Sequence, residues 1–186
     1  MTDFSQLLQP DKGQPARTIH IVDKRTWPDW LAAQPERART AIAAQGMKVE
    51  GYAHAILPGD AADDWSVVTV TANVNSFSSW CLAKLAAVLP AGTYRLAQGD
   101  PGVAMFGWLT GQHKFTRYKP KAEPEAPRVL LTTDPVRMAA ALREATAVCM
   151  VRDLVDTPAA DLGPAELEAV AAEQTVAVLH QVRGLG

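Results

Sequence analysis

Residues 65–72 read WSVVTVTA, and this stretch limits what the chain can become more than any other. Its β-branched and aromatic side chains alternate in character, which suits a pleated strand with two different faces. Shorter runs of the same kind recur around it. Residues 18–22 (TIHIV), 52–57, 93–96 and 129–132 read as further strands, the second of them stopped by the turn residues Pro58, Gly59 and Asp60. Segments with helical signals lie between them. Thr26 caps one helix and Pro28 sits in its first turn; residues 36–45 continue as a second, which Gly46 ends in a left-handed conformation. Asn75 or Ser76 caps an apolar helix running to Leu89, closed by Pro90, Ala91 and Gly92. Asp100 and Pro101 open another through His113, weakened by Gly107 and Gly111. Asp134 and Pro135 start the longest helix, reaching Asp153 with Met138, Leu142, Ala145, Cys149 and Leu154 near one stripe. Strands alternating with helices in this order predict an α/β fold of three layers, a mixed β-sheet flanked by helices.

The remaining segments read differently. Residues 1–17 are polar and punctuated by Pro and Gly, which predicts a flexible leader. Residues 119–128 (KPKAEPEAPR) combine proline with charge and predict an exposed loop. Beyond Asp153 the character changes: residues 154–164 are turn-rich, 164–173 form a short capped helix, and 176–179 read as one more strand. That is the expected opening of a second, truncated domain. The division is therefore a leader at 1–17, a domain at 18–133, a linker helix at 134–153 and the start of the second domain at 154–186.

Composition narrows the function classes. With 48% hydrophobic residues, 20% charged residues and a formal net charge of -2, the chain has the make-up of an ordinary globular protein. The near-neutral balance, with a sequence pI near 6.1, argues against a dedicated nucleic-acid binder. Cys81 and Cys149 sit in apolar helical contexts and are expected to be buried free thiols. No run approaches the roughly 18 apolar residues of a membrane span. The first residues lack the basic and apolar regions of a secretory signal, so a cytoplasmic location is expected.

A search for chemistry finds little. His20, His54, His113 and His180 are scattered, without the spacing of a zinc site, and read as structural histidines. Asp60, Asp63 and Asp64 lack the glycine bend and terminal glutamate of a calcium loop and read as a solvated turn. Gly99, Asp100, Pro101 and Gly102 before a helix could present backbone N–H groups to an anion, but Asp100 is expected to satisfy those donors itself. Trp27, Trp30, Trp65, Trp80 and Trp108 have apolar neighbours and read as core. Lys114, Arg117, Lys119 and Lys121, interleaved with Phe115 and Tyr118, could touch phosphates; a solvated segment is the commoner meaning of such a run. No catalytic, cofactor-binding or metal-ligating residue is assigned.

One stretch carries more specific information. Residues 151–164, VRDLVDTPAADLGP, resemble the segment with which leucyl aminopeptidases of the M17 peptidase family enter their catalytic domain, close to R-D-L-V-N-T-P-A-N-x-x-x-P. Arg152, Asp153, Leu154, Val155, Thr157, Pro158, Ala159 and Pro164 match; Asp156 and Asp161 stand near positions where the family carries asparagine. Residues 89–96 (LPAGTYRL), 107–118 (GWLTGQHKFTRY) and 128–131 (RVLL), with Trp27, Pro28, Trp30 and Leu31, are similar to the shorter bacterial members. The resemblance implies a macro-domain-like N-terminal domain joined by a long helix to a peptidase domain. That peptidase domain holds two divalent metal ions, zinc or manganese, through V-G-K-G-x-x-x-D-[ST]-G-G and N-T-D-A-E-G-R type motifs, and this sequence has neither. The parent protein is then expected to be a metallo-aminopeptidase, a hexamer acting on peptides, and this chain by itself a non-catalytic part serving assembly and active-site access. The alternative is a macro-like module binding a nucleotide-like ligand or DNA.

Overall fold

A computed structural model describes residues 3–61, 63–119 and 126–183, with side chains through residue 173. Six strands make one sheet: β1 (Leu8–Pro10), β2 (Arg17–Val22), β3 (His54–Pro58), β4 (Trp65–Val70), β5 (Gly92–Leu96) and β6 (Arg128–Thr132). Their order is β1-β6-β5-β2-β4-β3, with every neighbouring pair parallel except β3 with β4. Between β2 and β3 lie α1 (Trp27–Ala32) and α2 (Glu36–Ala44); α3 (Ala83–Val88) joins β4 to β5. A 3-10 turn at Gly102–Ala104 runs into α4 (Met105–Thr110), which leads to β6, followed by α5 (Pro135–Asp156) and α6 (Pro164–Arg183).

The pleat explains the layers. Consecutive residues of a strand face opposite ways, and Val67 and Val68 of β4 accordingly enter two separate cores. On one face Val22, Val68 and Val70 pack with Ala38 and Ile42 of α2. On the other, Ile19, Val67, Tyr94 and Leu130 meet α3, α4 and α5 through Leu85, Trp108 and Ala145. This is the three-layer α/β fold with a mixed sheet.

Several local expectations hold. Asp134 caps α5 by accepting a hydrogen bond from Arg137 N at 2.9 Å, and Ala145 and Cys149 are buried with Met138 and Leu142 packed beside them. Gly46 has φ 61 after α2. Both cysteines are free and buried.

Others are corrected. Residues 1–17 were expected to be a flexible leader, yet β1 pairs with β6, Phe4, Leu7 and Leu8 are buried, and Arg95 holds the following turn through Asp11 and Gln14 O. Tyr52 has φ 62, outside the extended region, so β3 begins at His54. β4 ends at Val70, and α3 is a short helix from Ala83 with neither Asn75 nor Ser76 as its cap, because Asn73 turns back on Asn75 N and Ser78 contacts Cys81 Sγ. Thr26 spends its hydroxyl on Asp23 and makes no cap bond to α1. α4 stops at Thr110, while α5 runs on to Asp156, where Pro158 follows shortly. Residues 176–179 lie in α6, with no Gly or Pro to break the helix before them. Trp80 is 48% exposed, resting edge-on against Phe106. Most of the proline-rich loop expected at 119–128, including Lys121, lies outside the described residues.

Candidate functional site

In an open sheet of this kind, the usual ligand crevice lies beyond the carboxyl ends of the parallel strands, where successive crossovers leave on opposite faces. Here that point falls between β2, which sends its chain to α1 on one face, and β5, which sends its chain to α4 on the other. A cleft of about 370 Å³ occupies the place, lined by His20, Thr26, Trp30, Asn75, Phe77 and Gln98 among others. His20 stacks at a tilt on Trp30, and burial lowers the imidazole pKa from its ordinary value.

Two of the protein's own carboxylates lie in the turns that follow β2 and β5. Asp23, 4% exposed, accepts from the backbone N–H groups of Arg25, Thr26 and Val74. Those bonds, led by that from Thr26, hold its carboxyl below the usual range. Asp100 accepts from Gly102 N, from Thr132 Oγ1 and from both the N–H and the hydroxyl of Thr133. Burial pushes the Asp100 carboxyl up, but these hydrogen bonds outweigh it and the pKa is lowered. The turn at 99–102 is thus a self-satisfied helix entry. Both carboxylates spend their oxygens on backbone and hydroxyl donors of neighbouring turns, so those donors are already occupied.

A second region joins the stretches that carried the resemblance. His113, after α4, is 7% exposed at its side chain and pairs through Nε2 with Asp153 Oδ1 on α5 at 2.9 Å, with Phe4 nearby. Tyr118 OH donates to Asp161 Oδ2 at 2.5 Å, which raises the phenol pKa. Thr157 Oγ1 donates to Asp153 O and ties off the end of α5. The segment at 107–118 is therefore joined to the segment at 151–164 by the Tyr118–Asp161 hydrogen bond and by the close approach of His113 to Asp153. Asp161 does as acceptor what an asparagine oxygen would do. The sequence carried no sign of the His113–Asp153 pair, since its members are far apart in the chain.

The other candidates fall out as ordinary structure. Asp60 pairs with Arg37, and Asp64 accepts from Asp60 N in the turn that closes β3 onto β4. His54 lies on the edge strand, and the side chain of His180 lies outside the description. Lys114, Arg117 and Lys119 are exposed on the segment after α4. Of the tryptophans, Trp108 is fully buried and donates from Nε1 to Arg128 O at 3.0 Å. Among the described residues no group of three or more His, Cys, Asp or Glu side chains is arranged to hold a metal ion.

Comparison with known proteins agrees with this fold. Among solved structures, cytosol aminopeptidase from Coxiella burnetii superposes with a TM-score of 0.73 at 22% identity, covering 89% of this chain and 36% of that one. A mutant tomato leucine aminopeptidase superposes with a TM-score of 0.53 at 15% identity, covering 89% of this chain and 41% of that one. At those identities the likeness is one of fold, and this chain spans less than half the length of either. No curated protein matches. Residues 18–131 match the family model of the M17 aminopeptidase N-terminal domain, and the chain therefore belongs to the M17 aminopeptidase family through its N-terminal domain.

Proposed function

We propose that this chain is the non-catalytic N-terminal region of a leucyl aminopeptidase, an enzyme that removes N-terminal residues from peptides by two-metal hydrolysis. In this reading the chain serves assembly and control of access to the active site. The observation that carries it is the family match over residues 18–131 in a chain spanning only 36% of the Coxiella burnetii enzyme. Most of that enzyme's length has no counterpart here.

The partition follows from the same reading. The sheet domain extends to about residue 133, residues 134–153, most of α5, form the connecting helix, and residues from 154 onward open the peptidase domain. The two zinc or manganese ions of such an enzyme have no fitting set of holders among the described residues, so no hydrolytic step is assigned to this chain. Bringing two ions to about 3.5–4 Å and acidifying their shared water takes a dedicated ligand set. An apolar stripe supports the assembly role. Val148, Val151 and Val155, at i, i+3 and i+7 of α5, are 37%, 52% and 78% exposed, on a side of the helix away from the core. A peptidase domain following these residues and further copies in a hexamer are the proposed partners. A cytoplasmic location belongs to the same proposal, supported by the name of the Coxiella burnetii protein.

Two measurements test it. Reading the gene beyond codon 186 should reveal the lysine- and aspartate-rich metal motifs; their lack would remove the peptidase domain from the proposal. Incubating the chain with leucine p-nitroanilide and manganese should release p-nitroaniline no faster than manganese alone. Turnover above that blank would refute the non-catalytic reading.

A further inference from the structure

We propose that a groove at the amino ends of the central strands, floored by Arg17 and Trp65, receives a carboxylate side chain from an apolar segment of a partner protein. The groove, about 710 Å³, is walled by Ile56, Pro58, Ala61 and Pro90. Arg17 opens β2 and places its guanidinium carbon over the Trp65 ring, 4.3 Å from the ring centroid. Gly92 makes the fit possible: a Cβ there would fall 2.3 Å from Arg17 Nη1, and its φ of 150 disfavours any side chain. The guanidinium is thus pre-placed by two neighbours. It forms no ion pair and donates no hydrogen bond among the described residues, and its Nε is buried without an acceptor. Buried polar groups are ordinarily satisfied, and a planar fork held on an aromatic face suits bidentate capture of a carboxylate.

The surroundings select among oxyanions. Asp64 stands on the rim, its Oδ2 engaged with Asp60 N, and its charge disfavours a doubly charged phosphate more than a single carboxylate. The free edge of β3 is closed at this point. The Gln45 amide donates to Ile56 O at 2.7 Å and accepts from Ile56 N at 3.0 Å, so an occupant cannot add as a strand and must enter through its side chains. Ile56, 37% exposed, supplies apolar contact beside the charge. The inference stands whether or not a peptidase domain follows.

The test is a titration of the full chain followed by the Arg17 Nε–H and Trp65 indole N–H signals in 1H–15N spectra. The probes are the peptide Ac-Leu-Glu-Pro-Leu-NH2, its Gln counterpart and inorganic phosphate. The Glu peptide should shift both signals saturably and bind about tenfold more tightly than the Gln peptide. R17Q should abolish the difference; should R17Q fail to fold, R17K, which lacks the planar fork, should reduce it. Equal binding of the two peptides, tighter binding of phosphate, or no saturable shift would each overturn the proposal.

Discussion

Replacing Gly107 by alanine should destabilise this protein, although the same change in an exposed helix would strengthen it. In a solvated helix, Gly→Ala is favourable by about 1 kcal/mol. Gly107 lies in α4, where the helix crosses the chain just before α3. A Cβ added there would fall 2.3 Å from Ser79 O, 3.1 Å from Trp80 Cα and 3.3 Å from Ala83 Cβ. The first two are backbone atoms and cannot rotate aside. Relief requires α4 to move outward, and α4 carries Trp108 and Leu109, both fully buried. Overpacking of this kind costs about 1–3 kcal/mol, and contact with backbone places it at the upper end. Less the helix gain of about 1 kcal/mol, the net loss is about 2 kcal/mol, or a fall in Tm of about 4–8 °C at this chain length. Thermal and urea unfolding followed by far-ultraviolet circular dichroism would measure it, with an unchanged m-value expected. Ala139→Gly, on the exposed side of α5, calibrates the helix term and should cost about 1 kcal/mol. Gly107→Ala protein as stable as the parent, or more so, would refute the close-approach argument.

Asp100→Ala should lose about 2–3 kcal/mol near pH 7, because Gly102 N and the donors of Thr132 and Thr133 lose their acceptor. With its carboxyl held below the ordinary range, the folded state is favoured above about pH 4 and loses this contribution as pH falls through the lowered pKa. Urea midpoints between pH 3 and 5 should therefore fall less steeply in the variant; parallel curves would count against the role. Burial lowers the pKa of both His20 and His54, the latter helped by the Lys84 charge. Their folded pKa values lie below the unfolded one, so stability is complete above about pH 6.5 and declines as pH drops through the folded values. An H20Q/H54Q double variant should flatten the urea-midpoint profile between pH 7 and 5, and an unaltered profile would contradict the assignment. Cys81 and Cys149, both buried, should resist Ellman's reagent in the folded protein and react together only on unfolding. Immediate stoichiometric reaction would show that one of them is reachable.

Much of this architecture was legible before folding. The strand at Trp65 and the cap at Asp134 depend on residues within a few positions, where steric preference and a single side-chain hydrogen bond decide the outcome. The family resemblance at Arg152 to Pro164 was legible for the same reason, as one contiguous stretch, while the family match itself falls on residues 18–131. The functional surfaces were not. Arg17 falls at the end of the expected leader, and nothing singles it out until Trp65 and Gly92 are brought around it. Asp100 could be foreseen as a cap, but its bonds to Thr132 and Thr133 span the sheet domain. Gly107 and Gly111 looked like weak points in a helix, whereas the structure uses their missing side chains for close approach to Ser79 and Ala83.

Read alone, the chain determined its alternation of strands and helices, its longest helix and its place in the M17 aminopeptidase family. Only the tertiary structure decided that Leu8 joins the sheet beside Leu130, that Trp80 faces outward, that His113 meets Asp153, and that Asp23 and Asp100 accept from the distant backbone N–H groups of Val74 and Thr133. Backbone preference and capping act over one turn of chain. Pairing, burial and charge compensation instead depend on which distant faces meet, and segments separated by dozens of residues meet only in the folded sheet.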